Sequence, residues 1–196
     1  MRGEPGVPSG RAWRYQERVA GLPKSLIELW SLAEAVAHET GGEPRYVFDA
    51  VGLLLERQLS AWSYFCSPRN ALTFASTGGD GVHFGLLQLS DSAPHPAPVV
   101  MTVPMSDTRN IVLAEDLEEF LGLGCRVGCF MLEQLAYDPD WTVQHFADSA
   151  AESSECEAIL NRIRTSLRVR PVPLSLNRLA QLKDRYLPRV QVPDRA

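Results

Sequence analysis

The chain has 196 residues, a mass of 21.7 kDa and a formal net charge of −5. At roughly 100–200 residues per domain, this length points to one domain that can bury a core without metal or disulfide. Hydrophobic residues make up 45% and charged residues 22%, which excludes a wholly disordered chain. No apolar run approaches the roughly 18 residues of a transmembrane helix.

Residues 1–22 read as an N-terminal arm broken by Gly3, Pro5, Gly6, Pro8 and Gly10, with Trp13 and Tyr15 near its end. The stretch lacks the apolar segment of a secretory signal, so a cytoplasmic location with four reduced cysteines is expected. One domain is expected over 23–187, followed by a polar tail over 188–196. Its first helix is expected from Ser25 to His38. Ser25 and Glu28 have the spacing of a capping box, and Gly41 and Gly42 stop the helix. A second helix is expected over Arg45–Ala61, because Val47, Val51, Leu54, Leu55 and Leu59 recur at helical spacing.

The period then changes. Ala71–Ala75 and Val82–Leu89 read as two strands joined by Thr77-Gly78-Gly79-Asp80-Gly81, a hairpin in which glycine supplies positive φ. A proline-rich loop follows over 90–97. Pro98–Val103 and Asn110–Ala114 read as two more strands, giving a four-stranded, mainly antiparallel sheet. A long helix is expected over Glu115–Tyr137, with acids crowding its first turns where the helix dipole favours them. Asp138-Pro139 starts a short helix to Ala147. Ser154 and Glu157 form a second capping box for a helix to Leu167, and a last helix covers Leu176–Tyr186. The fold class is α+β: N-terminal helices, the sheet, a long helix packed on it and a helical C-terminal extension.

Charge is uneven along the chain. Residues 46–150 carry four basic and thirteen acidic side chains, net −9, whereas residues 151–196 carry nine basic and five acidic, net +4. A segment at −9 repels phosphate and argues against direct nucleic-acid binding, and it suits a basic protein partner.

Few constellations suggest chemistry. Cys125 and Cys129 lie four apart on an apolar helix face and read as core thiols, since a structural zinc site needs four ligands at recognisable spacing. Glu133, Asp138 and Asp140 lack the ligand pattern of a calcium loop, and helix capping accounts for Asp138. His38, His95 and His145 are isolated. The TGGDG run lacks the Lys-Ser/Thr of a phosphate loop and reads as a tight turn. Ser76, Asp80 and His83 lie close enough in sequence for a hydrolase triad, but no nucleophile-elbow motif surrounds them. No catalytic residue, cofactor or metal is expected.

Residues 70–121 carry a resemblance. Asn70-Ala71-Leu72-Thr73-Phe74-Ala75-Ser76-Thr77-Gly78-Gly79-Asp80-Gly81-Val82-His83-Phe84 resembles the central hairpin of the SUKH superfamily. Pro98-Val99-Val100-Met101-Thr102-Val103-Pro104 and Asn110-Ile111-Val112-Leu113-Ala114, leading into Leu117-Glu118-Glu119-Phe120-Leu121, resemble its later strands and helix start. The resemblance, extended to 137, implies a binding function: many bacterial members are immunity proteins that neutralise a cognate toxin, often a nuclease. Partner contacts are then expected on exposed acids, namely Asp80, Glu118, Glu119, Asp138 and Asp140. The alternatives are a regulatory scaffold for an endogenous protein, or a hydrolase built on Ser76, Asp80 and His83.

Overall fold

The computed structural model describes residues 22–62, 64–89 and 97–193. Trp13, Tyr15, His95 and all of the expected arm but Leu22 lie outside them. The fold class is α+β, with five antiparallel strands among the described residues where four were expected.

Helix α1 spans Lys24–Thr40 and ends at Gly41, whose φ of 74° lets its N–H return to the Ala37 carbonyl at 2.8 Å. The expected capping box does not form. Pro23 holds the cap position without a side-chain cap, Ser25 lies inside the first turn, and Glu28 pairs with Lys24 at 2.9 Å instead.

The second expected helix is absent. A single 3-10 turn, Asp49–Val51, leads into strand β1, Leu54–Ser60. Gly52 decides the matter. It sits at φ 71°, outside helical space, and a Cβ there would lie 2.9 Å from the Phe130 backbone nitrogen. The next carbonyl upstream, that of Val51, accepts the Cys129 N–H at 2.7 Å. The apolar run Val51–Leu55 therefore enters the sheet, burying Leu53 and Leu55.

Strands β2 (Ala71–Ser76), β3 (His83–Leu87), β4 (Val99–Thr102) and β5 (Asn110–Ala114) follow as an up-and-down meander in chain order. The β2–β3 turn has Gly78 at φ 84°, Asp80 at 48° and Gly81 at 71°, so the expected tight turn stands.

Helix α2 covers only Leu117–Val127, capped by the Asp116 carboxylate on the Glu119 N–H. The expected long helix breaks at Gly128, φ 91°, and continues as a 3-10 segment over Phe130–Ala136. The break lets the chain turn into the Val51 carbonyl just described. Helix α3 (Pro139–Asp148) is capped by Asp138, as expected. Helix α4 (Ser154–Ser166) is capped by Ser153 and not by Ser154, so the second expected box is one residue out of register. Helix α5 covers Leu176–Tyr186 as expected, with Ser175 as its cap.

The sheet has two buried faces. On one, Phe74, Phe84, Val99, Met101 and Leu113 pack with residues of α1, α2 and α4. Phe120 of α2 meets Phe74 edge-on at 5.6 Å and Phe84 at 4.9 Å. On the other, Ala71, Leu87, Val100 and Val112 pack under Leu182 and Tyr186 of α5. Charge fixes α5 there. Arg178 Nε reaches Glu119 Oε1 at 2.7 Å, Arg178 Nη2 reaches Glu115 Oε2 at 3.0 Å, and the Tyr186 hydroxyl donates to Glu115 Oε1 at 2.8 Å. Arg185 also pairs with Glu115.

Gly52→Ala forces a β-carbon against backbone in a left-handed conformation. We expect it to cost about 1–3 kcal/mol, read as a lower urea midpoint with an unchanged slope.

Candidate functional site

Directly opposed residues of the meander form one polar row on the α5 side of the sheet. Ser76 pairs with His83, His83 with Thr102, and Thr102 with Asn110. Helix α5 covers the other half of this face. The polar half is covered by described residues of the connection between β1 and β2, 61–62 and 64–70. The Asn110 side-chain amide donates to the Cys66 carbonyl at 3.0 Å, and the Thr102 hydroxyl donates to Asn110 Oδ1 at 2.9 Å.

His83 sits at the centre of this row, 2% exposed. The Trp62 and Tyr64 rings pack on it with centroids at 4.7 and 5.9 Å. Its Nδ1 lies 2.7 Å from the Gly81 carbonyl and its Nε2 lies 3.0 Å from Ser67 Oγ. A carbonyl only accepts, so Nδ1 carries the proton. In the neutral ring Nε2 is then the acceptor, and the Ser67 hydroxyl donates to it. Burial holds the His83 pKa below the ordinary 6.5, and the Gly81 carbonyl offsets this only in part.

This arrangement corrects the suspected triad. Both ring nitrogens of His83 are committed, to Gly81 and to Ser67. Ser76 is its cross-strand neighbour and Asp80 is exposed in the turn. Sequence reasoning missed Ser67, because nothing local links residues 67 and 83. The available signal was the density of Trp62, Tyr64, Phe65 and Cys66 beside Pro68, unusual for a solvated loop.

Several segments meet at the end of the sheet marked by Ser76 and His83. They are the β2–β3 turn, the β4–β5 loop over 103–109, and the 3-10 segment with Tyr137 and Asp138. The Ser106 hydroxyl ties the second to the third by donating to the Ala136 carbonyl at 2.7 Å. Gly81 lies against the Tyr64 ring, and the Arg109 guanidinium stacks 4.8 Å from the Phe65 centroid. Large apolar side chains stay exposed here: Phe65 at 60%, Met105 at 77% and Tyr137 at 53%, with Tyr64 and Trp141 beside them. Carboxylates interleave them. Asp80, Asp107, Asp138 and Asp140 are exposed, and Glu133 has its pKa raised by burial and by the charge of Asp80.

The residues expected to touch a partner therefore separate into two groups. Asp80, Asp138 and Asp140 lie on this loop end, with the Asp138 carboxylate also accepting the Trp141 N–H at 2.9 Å. Glu118 and Glu119 lie at the opposite end, beyond Ala114, which pairs with Val99. Glu118 is exposed there, whereas Glu119 is bound by Arg178. Hydrogen bonds from Tyr186 and Arg178 hold the neighbouring Glu115 carboxyl below the usual carboxylate range.

Cys125 and Cys129 are buried, and burial pushes the Cys125 thiol up to about 11. Among the described residues, no group of three His, Cys, Asp or Glu side chains is placed to hold a metal ion. No helix among them is long and apolar enough to cross a membrane. Compared with known proteins, the chain matches no family model, no curated protein and no solved structure.

The low pKa of His83 sets a pH dependence. Below about 6.5 the unfolded chain binds a proton that the folded ring refuses, so stability falls as pH drops towards the folded-state pKa. Above about 6.5 this contribution is fully present. Urea unfolding should show the wild type losing more stability than His83→Gln between about pH 7.5 and pH 5. Equal losses in both proteins would mean that His83 is not held neutral.

Proposed function

We propose that this chain is a protein-binding domain that receives a basic partner on the loop end of its sheet. The observation that carries this reading is the convergence there of exposed Tyr64, Phe65, Met105 and Tyr137 with Asp80, Asp107, Glu133, Asp138 and Asp140. Aromatic and Met side chains supply the desolvated contact area of protein interfaces. Carboxylates around them steer a positively charged surface into register and reject acidic ones. Docking of this kind needs no catalytic group.

A finer form of the reading makes the partner a cognate toxin and the chain its immunity protein. The hairpin and strand motifs over 70–121, with their resemblance to the SUKH superfamily, support it. A nuclease fits the charge argument, because a surface that binds phosphate is basic. The same charge argument speaks against direct binding of nucleic acid by the loop end itself.

The experiment pairs the full chain with the product of an adjacent toxin-like gene and reads association by surface plasmon resonance. Exposed charge pairs are worth roughly 0–1 kcal/mol, so Asp80→Lys, Asp138→Lys and Asp140→Lys should each slow association by up to about fivefold. Glu118→Lys, at the far end, should leave it unchanged. Association should also slow as salt rises through about 0.01–0.15 M. Salt-independent association, or a Glu118→Lys effect as large as the others, overturns the loop end as the docking surface. Failure to bind the neighbour at all removes the toxin reading.

A further inference from the structure

We propose that Ser67 and His83 form a nucleophile–base pair that takes an acyl group from a small ester seated beside Trp62, Tyr64 and Phe65. The inference shares Tyr64 and Phe65 with the docking surface but needs no protein partner, and it rests on the geometry of residues 61–62 and 64–70.

Three requirements of a serine nucleophile meet here. The first is a base with the right tautomer. The Gly81 carbonyl at 2.7 Å fixes the His83 proton on Nδ1, which leaves Nε2 as an acceptor 3.0 Å from Ser67 Oγ. That is the polarity needed to remove the hydroxyl proton. A backbone carbonyl takes the orienting role that a carboxylate has in a triad, and it offsets in part the cost that burial puts on the imidazolium. The second is dryness. Trp62 and Tyr64 pack on the ring, so bulk water is kept from the base. The third is access. Ser67 is only 3% exposed, yet it lines a groove with Trp62, Tyr64, Phe65 and Arg69. The aromatic walls suit an apolar acyl chain. Arg69 is the cation among the lining residues.

The step balances without an outside oxidant or metal. Ser67 Oγ forms a bond to the ester carbonyl carbon as its proton passes to His83 Nε2. The carbon–oxygen bond to the alcohol then breaks, and the alcohol leaves with that proton. A water that enters the groove in place of the departed alcohol is deprotonated by Nε2 and attacks the acyl carbon, and Ser67 departs with the proton restored. The sum is ester plus water giving acid plus alcohol.

The test treats the folded full-length chain with an alkyl fluorophosphonate and maps the modified residue by peptide mass spectrometry. The phosphorus–Oγ bond forms as fluoride leaves, so the adduct marks any activated serine. The expected adduct is on Ser67, is absent from Ser67→Ala, and forms at least about a hundredfold more slowly in His83→Gln. Release of nitrophenol from p-nitrophenyl butyrate should follow the same order. Mapping on the wild type needs no variant to fold, and near-ultraviolet circular dichroism checks both variants. An unmodified Ser67 in the folded wild type overturns the proposal. So does an adduct that forms at the same rate in folded His83→Gln, since Ser67 would then react without its base.

Discussion

Both faces of the β-meander must be covered, and the helices among the described residues cover only one and a half of them. Helices α1, α2 and α4 close the first face over an unbroken apolar surface. On the second, α5 closes the half made of Ala71, Leu87, Val100 and Val112. The remaining half falls to a loop, and a loop carries backbone groups that need partners. The strands answer with the polar row Ser76, His83, Thr102 and Asn110. Asn110 satisfies the Cys66 carbonyl and His83 accepts from Ser67, so the polar half of the face is matched to what lies on it. A buried polar network of this kind stands only when its members are satisfied, which is why it fixes the loop in one place.

The same geometry redistributes the charge. By sequence, residues 46–150 hold a net −9 and the C-terminal segment a net +4. In space, part of the excess cancels inside the molecule. Glu115 and Glu119 belong to the acidic segment, and Arg178 and Arg185 belong to the basic one. Their pairing spans the join between β5, α2 and α5. The acids on the loop end lie far from that cluster. Asp80, Asp107, Glu133, Asp138 and Asp140 remain at the end of the sheet that also exposes aromatic side chains, with Arg109 stacked on Phe65 among them.

Local signals were legible where a local reason decides the backbone. The glycine-rich turn marked the β2–β3 hairpin, Asp138-Pro139 started α3, and the last helix was expected at the bounds α5 shows. Long-range contacts hid the rest. The run Val51–Leu55 fits a helix and a strand equally well, and the choice is made by Gly52 packing on Phe130. Gly128 breaks the long apolar helix for the matching reason, since Cys129 must reach the Val51 carbonyl. These two glycines face each other's segments across one contact, and neither segment alone announces it. The site followed the same rule. His83 stood out in the sequence, but its partner came from a loop whose path depends on the whole second face.

One loop thus carries three duties, and they constrain one another. It seals the polar row, it brings Ser67 to the imidazole, and it presents Tyr64 and Phe65 at the loop end. An exposed aromatic on a free loop loses conformational entropy when a partner orders it. Here both rings already have contacts in the free chain: Tyr64 rests on His83 and on Gly81, and Phe65 carries the Arg109 guanidinium. Preorganisation follows from cover: the contacts that bury the imidazole are the contacts that aim the aromatic rings outward. Any change that frees His83 from Ser67 or from Gly81 must therefore reach the outer surface through Tyr64. A molecule seated in the Ser67 groove would meet the side of the same ring. The loop end and the groove are two surfaces of a single polar seal, held by a histidine that neither surface exposes.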